Sequence, residues 1–175
     1  MQEFQSVEEL QDYLKQQSGK KIGFIPTMGA LHNGHLSLVK LAKKTTDFTI
    51  VSIFINPKQF GKNEDLNTYP KNIKKDVQEL MKLGVDCVFI PNQNTIYPTP
   101  DHFTEITIPH YETLYCGLAR PTFFKGVCSV VLRLFNIIKP HEAFFGEKDF
   151  QQLFIIKKMV KDLFLPIKIT SSPII

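Results

Sequence analysis

A doubly wound α/β fold on a parallel sheet is what the hydropathy pattern of this 175-residue chain predicts. Three observations carry that expectation. Short runs that are apolar at nearly every position recur along the chain, as expected of strands covered on both faces. Amphipathic stretches of helical period separate them, and such alternation closes into a parallel sheet through right-handed crossovers. The polar segments richest in chemistry fall directly after strand-like runs, where a parallel sheet gathers its ligand.

In chain order, Ser6-Val7-Glu8-Glu9 reads as a capping box, so a first helix is expected from Val7 to Gln17, burying Val7, Leu10 and Leu14. Strands are expected at Lys21 to Ile25, Thr49 to Ile55, Val85 to Ile90, Ala143 to Phe145 and Ile167 to Thr170. That makes a sheet of about five strands, the usual size. Helical periodicity marks Leu36 to Lys44, Ile73 to Leu83, Val127 to Ile138 and Phe150 to Leu163. Pro91 to Pro100 reads as a loop leading to an excursion, Asp101 to Cys116, in which Thr104 to Ile108 could pair as an edge strand. With 43% hydrophobic residues the chain can bury one core, so residues 1–175 are expected to form a single domain.

Composition narrows the function classes. Lys and Arg number 21 against 17 Asp and Glu, and a net charge of +4 this evenly spread leaves no nucleic-acid footprint while favouring polyanionic small substrates. Cys87, Cys116 and Cys128 are odd in number and unrelated in spacing, and two lie in apolar runs, as reduced core thiols of a cytoplasmic protein would. Met1 to Lys15 lacks an apolar signal core, and no run approaches a membrane span, so no membrane role is expected.

The most informative stretch is Pro26 to His35, between the first strand and the helix after it. Gly29 and Gly34 allow close backbone approach to an anion, and His32 and His35, three apart, open the helix where N–H groups and the dipole favour phosphate. The glycines have P-loop spacing, but His35 and Leu36 stand where a P-loop needs Lys and Ser or Thr. Imidazoles there can donate hydrogen bonds to a pentacoordinate phosphorus and to departing pyrophosphate, which suits attack at an α-phosphate and AMP transfer. A metal pair is the weaker reading, because no cysteine neighbours the histidines and a helix start with two glycines is a poor cage, so no metal ligands are assigned. Ordinary helix capping by the histidines stays open. Asn56-Pro57-Lys58-Gln59-Phe60-Gly61 follows the second strand, and Gly146-Glu147-Lys148-Asp149, leading into Gln151-Gln152, follows Phe145. Alone, the first is an Asx-Pro turn and the second a cap in which Asp149 accepts backbone N–H bonds; their convergence points to one site. No dinucleotide fingerprint is present, which sets NAD-dependent oxidoreduction aside.

These motifs, with Glu64-Asp65-Leu66, Tyr69-Pro70, Tyr97-Pro98, Arg120-Pro121, Phe124 and Gly126-Val127, resemble in order the pantoate–β-alanine ligase family along nearly the whole chain. The resemblance implies the Rossmann-like fold of the nucleotidyltransferase superfamily with the H-I-G-H-type signature, whose place His32-Asn33-Gly34-His35 fills. It implies ATP with Mg²⁺, pantoate and β-alanine as ligands, a pantoyl-adenylate intermediate, and a homodimer. By position it assigns His35, His32 and Lys148 to catalysis, and Met28, Gly29, Ala30, Leu31, His32, Asn33, Gly34, His35, Gly146, Glu147, Lys148, Asp149 and Ile175 to ATP. It assigns Gln59, Gln152 and Asn56 to pantoate and Gln59 also to β-alanine. Neutral amides suit pantoate's hydroxyls and carboxylate without adding charge beside ATP.

Three departures accompany the resemblance. Phe123 stands where the family usually has histidine, and Asn33 where an acid is usual. The family's serine-rich nucleotide motif and C-terminal lid normally follow the position of Ile175, so the chain is expected to be the Rossmann-like half, able to bind ligands but largely inactive. Other readings are a nucleotidyltransferase of the same superfamily, disfavoured because a phosphorylated acceptor would call for more Arg or Lys than Gln59 and Gln152 offer, and a non-catalytic nucleotide- or pantoate-binding module.

Overall fold

The computed structural model describes residues 1–61, 66, 68–99, 104–112 and 114–175. β1 (Gln2–Phe4), α1 (Val7–Lys15), β2 (Ile22–Thr27), α2 (Asn33–Thr45), β3 (Phe48–Ile53), α3 (Ile73–Lys82) and β4 (Cys87–Phe89) come first. Three one-turn helices follow, α4 (Gln93–Ile96), α5 (Pro109–Glu112) and α6 (Cys116–Ala119). The long α7 (Phe123–Ile138), β5 (Glu142–Gly146), α8 (Phe150–Asp162) and β6 (Lys168–Ser172) complete the order. All strand pairs are parallel, in the order β1-β4-β3-β2-β5-β6.

Strand order reverses at β2. The chain steps outward through β3 and β4 on one side, then crosses to β5 and β6 on the other. β2 pairs with β5 only at Gly23↔Glu142 and Phe24↔Ala143, yet stays paired with β3 as far as Thr27↔Ile53. The two central strands therefore part toward their carboxyl ends and open a crevice at the switch point. Pro26, unusual inside a central strand, is tolerated because β5 has left the ladder there.

Cores lie on both faces of the sheet. Leu10 of α1, the apolar side of α7 and Leu153, Ile156 and Met159 of α8 cover one face; Leu38, Val39 and Ala42 of α2 with Leu80 of α3 cover the other. Cys87 and Cys128 are buried, and burial pushes both thiols up to about 12, so they are inert apolar filler. At the amino end of β5, far from the crevice, buried Glu142 pairs with Lys21 at 2.7 Å and Lys168 at 3.0 Å, tying β5 to β6. Among the described residues no helix is long and apolar enough to cross a membrane.

Each of the five expected strands forms, and a sixth, β1, joins them. Its sequence, Gln-Glu-Phe, is too short and polar to read as a strand, and its parallel pairing with β4 is main-chain work at a sheet edge. Thr104 to Ile108 is not a strand. Ser129 Oγ accepts from Ile106 N (3.2 Å), Glu112 Oε1 accepts from Ile108 N (2.8 Å), and Arg133 Nη2 donates to Thr104 O (2.8 Å), so side chains take main-chain groups that a neighbouring strand would use. Pro91 to Pro100 contains α4, capped by Asn92 Oδ1 accepting from Thr95 N. α1 stops at Lys15 rather than Gln17, and α7 begins at Phe123 rather than Val127. Glu64, Asp65, Pro100 and the first residues of the 101–116 excursion lie outside the described residues.

The earlier start of α7 brings Gly126 against the 3₁₀ turn at Pro57–Gln59. A Cβ on Gly126 would lie 2.3 Å from Lys58 O and 2.6 Å from its carbonyl carbon, both rigid backbone. Gly126→Ala is expected to lower unfolding free energy by about 1–3 kcal/mol, the usual range for overpacking. Urea denaturation checks this, and a loss below about 0.5 kcal/mol, the range of a neutral surface change, would contradict it.

Candidate functional site

The turn from β2 into α2 is strained and held. Gly29 (φ +81°) and Ala30 (φ +52°) both adopt the left-handed region, and a Cβ on Gly29 would press on Asp76 Oδ2 at 3.1 Å and Ile53 Cγ2 at 3.2 Å. For Ala30 that conformation costs about 1–2 kcal/mol. Asp76 of α3, buried beneath the turn, offsets it by accepting Ala30 N–H at 2.9 Å and Leu31 N–H at 2.8 Å. Thr27 Oγ1 accepts from Gly29 N and donates to Ser52 O, joining the turn to β3.

Beyond the turn, the two imidazoles cap α2. His32 Nδ1 accepts Gly34 N–H at 3.1 Å, His35 Nδ1 accepts His32 N–H at 3.4 Å, and the rings lie 4.1 Å apart. A backbone N–H can only donate, so each Nδ1 is the bare nitrogen and each neutral ring carries its proton on Nε2. Burial, and then the neighbouring His32, lower His35 to about 4, with Lys148 acting in the same sense and Asp76 and Asp149 against it. His35 is therefore a neutral N–H donor at pH 7. Capping uses the Nδ1 edge of each ring and so does not occupy the Nε2 edge.

Two further turns meet this one. At Glu147–Asp149, Lys148 and Asp149 are exposed, and Asp149 stands at the cap position of α8 without making a side-chain capping bond, which leaves its carboxylate available. Glu147 Oε1 accepts from Ser171 Oγ at 2.8 Å, tying the turn to β6. At Pro57–Gln59, Gln59 is buried against α7, and Arg120 Nη2 donates to its backbone carbonyl at 3.0 Å. The Arg120 guanidinium also lies 3.8 Å from the centre of the Phe123 ring, so Phe123 gives Arg120 a stacking face.

Two adjoining cavities fill the crevice. One, of about 260 Å³, is walled by Phe54, Val127, Val130, Val131 and Leu134, with Gln59 and Gln152 as its amides and Met28 at its edge. The other, of about 500 Å³, runs along Asn33, Gly34, Gly146, Glu147 and Lys148 to Ile175. Both are lined by Pro26, His32, His35, Phe145, Asp149 and Gln152, so the imidazoles stand between them. Four residues singled out by sequence do not line either cavity. Ala30 and Leu31 give their N–H groups to Asp76, and Asn56 is fully buried behind Gln59; Gly29 borders a separate hollow beside Asp76. Among the described residues no three His, Cys, Asp or Glu side chains gather as metal ligands.

Sequence reasoning missed Asp76 and Gln151. Asp76 is one acid in an amphipathic helix, and its partners lie 45 and 46 residues away. Gln151 lies beside Gln152 on α8, but successive helix positions face different ways: its Nε2 donates to Tyr111 O and Leu114 O and its Oε1 accepts Cys116 N–H, pinning the α5–α6 segment.

A profile of the pantoate-beta-alanine ligase family matches residues 2–175. A pantothenate synthetase from Caldicellulosiruptor bescii is 49% identical across the whole chain, which covers 61% of that relative, and one from Pseudothermotoga lettingae is 51% identical over 89% of the chain and 55% of its own length. Among solved structures, pantothenate synthetase from Thermus thermophilus superposes with a TM-score of 0.95 at 39% identity, covering all of this chain and 62% of its own. Pantoate-beta-alanine ligase from Francisella tularensis, complexed with beta-gamma ATP and beta-alanine, does so at 0.95 and 42% identity, over 99% of this chain and 67% of its own. The chain thus spans about six tenths of the length of the curated relatives cited.

The capping geometry has a pH signature. An unfolded histidine titrates near 6.5, so above that pH His35 is neutral in both states and costs nothing. Between there and about 4 only the unfolded chain binds the proton, so stability falls with pH, and the loss is complete below about 4. An NMR titration of the His35 ring is expected to show no inflection near 6.5; one within about half a unit of that value would contradict the neutral donor.

Proposed function

The chain belongs to the pantoate-beta-alanine ligase family, and we propose that its crevice binds ATP and pantoate and serves the ATP-dependent condensation of pantoate with β-alanine to pantothenate. One observation carries this reading: a phosphate-suited cavity at the N-terminus of α2 abuts a smaller cavity that pairs a branched aliphatic wall with two neutral amides, and His35 lines both. The branched carbons of pantoate suit the wall of Val127, Val130, Val131 and Leu134, while its hydroxyls and carboxylate suit Gln59 and Gln152.

In the first step a pantoate carboxylate oxygen attacks the α-phosphorus; the new O–P bond forms as the bond to the β-phosphate oxygen breaks, and pyrophosphate leaves. His35 Nε2–H, with His32 beside it, donates to the phosphate oxygens as charge builds, and Lys148 neutralises that charge. The neutrality of His35 matters because it donates without giving up a proton. In the second step the β-alanine nitrogen attacks the acyl carbon near Gln59, the C–O bond to AMP breaks, and the nitrogen sheds its proton. Asp149 accepts from the ribose hydroxyls, and the 173–175 segment borders the adenine end. Mg²⁺ bound with the nucleotide would share the neutralisation of phosphate charge with Lys148.

A homodimer in the cytoplasm is part of the same reading, and exposed Tyr115, Leu118 and Phe150 offer apolar surface for assembly. Exchange of labelled pyrophosphate into ATP reads the first step alone, which keeps the test independent of β-alanine. In the full-length protein, exchange is expected to require pantoate, to ignore phosphorylated acceptors, and to fall about 10²- to 10³-fold in His35→Ala, the loss typical of one transition-state donor. Exchange supported by a phosphorylated alcohol and not by pantoate would replace the ligase with a nucleotidyltransferase. No exchange, with both ligands bound, would leave a binding module.

A further inference from the structure

We propose that Asn56 and Tyr97 are positioning residues that lock the Gln59 side-chain amide with its NH₂ toward the smaller cavity, making it a dedicated donor for a ligand carboxylate. The inference rests on the acid-site reading above and goes beyond it by assigning which end of Gln59 the ligand meets and what fixes it.

The oxygen and nitrogen of an amide side chain are nearly the same size, so only its partners decide which way it faces. Backbone partners leave no ambiguity. Lys58 N–H, which can only donate, meets Asn56 Oδ1 at 3.2 Å, and Gly126 C=O, which can only accept, meets Asn56 Nδ2 at 3.0 Å. Asn56 is thereby fixed. Its second amide proton reaches Gln59 Oε1 at 3.0 Å, and the Tyr97 hydroxyl donates to its Oδ1 at 2.9 Å. Burial pushes that hydroxyl up to about 12, with Arg133 and Asn56 pulling the other way, so it stays protonated and remains a donor.

The four hydrogen bonds of the Asn56 amide are now spent, and the residue is 0% exposed, so it has nothing left to offer a ligand. Gln59 turns its oxygen inward to Asn56, which leaves Nε2 on the side of the cavity that Gln59 lines. Among the described residues Gln152, on the same cavity, makes no side-chain hydrogen bond, so its amide can present either end. The two glutamines therefore differ: Gln152 adapts to a hydroxyl, and Gln59 offers only N–H. A carboxylate has only acceptors, so it gains most from a donor already turned toward it.

The test compares the wild-type chain with Asn56→Ala and Tyr97→Phe, measuring by calorimetry the affinity for pantoate and for its primary amide. Once released, Gln59 can turn its oxygen to meet an amide ligand's N–H, whereas a carboxylate gains nothing from that freedom. Asn56→Ala is expected to weaken pantoate about tenfold, the order of one hydrogen bond to a charged group, while the amide changes less than about twofold. Tyr97→Phe, which leaves the backbone partners of Asn56 in place and removes only a hydroxyl, is expected to move the same ratio in the same direction by about two- to threefold. Equal weakening of both ligands in both variants would mean mere loosening of the fold and would overturn the lock. An unchanged pantoate affinity would overturn it too. If the wild-type chain binds pantoate no better than the amide, the lock fails and the acid site stands; if it binds neither, the acid-site reading itself falls.

Discussion

One carboxylate, Asp76, holds the turn on which the rest of the crevice depends. Two consecutive left-handed residues, Gly29 and Ala30, swing the chain from the end of β2 into α2, and Ala30 does not adopt that conformation cheaply. Asp76 reaches up from α3 and takes the N–H groups of Ala30 and Leu31. With those two donors turned down into the protein, His32 becomes the cap of α2 and its imidazole, with that of His35, faces the crevice. The turn thus converts a strained backbone into a fixed pair of Nε2–H donors.

Around that turn the site keeps charge sparse. His35 is held neutral by burial, Gln59 and Gln152 are neutral, and the charged side chains Lys148 and Asp149 sit on the exposed 3₁₀ turn after β5. Asp149 lines both cavities from that turn, and on the proposed reading the neutral donors strengthen as charge develops on phosphate oxygens. Parting of β2 and β5 beyond Phe24 supplies the room, and Gly126 lets the Asn56–Gln59 turn close over α7 as the wall on one side.

The sheet was legible because its strands are covered on both faces, which writes continuous apolar runs into the sequence; β1, an exposed edge of three residues, leaves no such mark. Thr104 to Ile108 carried the alternation of a strand but lost its main-chain partners to Ser129, Glu112 and Arg133, a contest that no local pattern records. In the site, residues that touch the cavities lie in motifs that follow strands, so His32, His35, Gln59, Lys148 and Gln152 could be read directly. Those that act through another residue could not. Asp76 reaches across 46 residues and Tyr97 across 41, while Asn56, which the sequence did single out, sits buried behind Gln59 rather than on the cavity.

The central claim is that the β2–α2 turn is the phosphate end of a single crevice whose other end holds the acid. A crystal structure of this chain soaked with a non-hydrolysable ATP analogue and pantoate tests it most directly. The account predicts phosphate oxygens over the first turn of α2 within hydrogen-bonding distance of His35 Nε2, and a pantoate carboxylate oxygen on Gln59 Nε2. Nucleotide bound away from that turn, or the acid seated elsewhere than between Gln59 and Gln152, would contradict it.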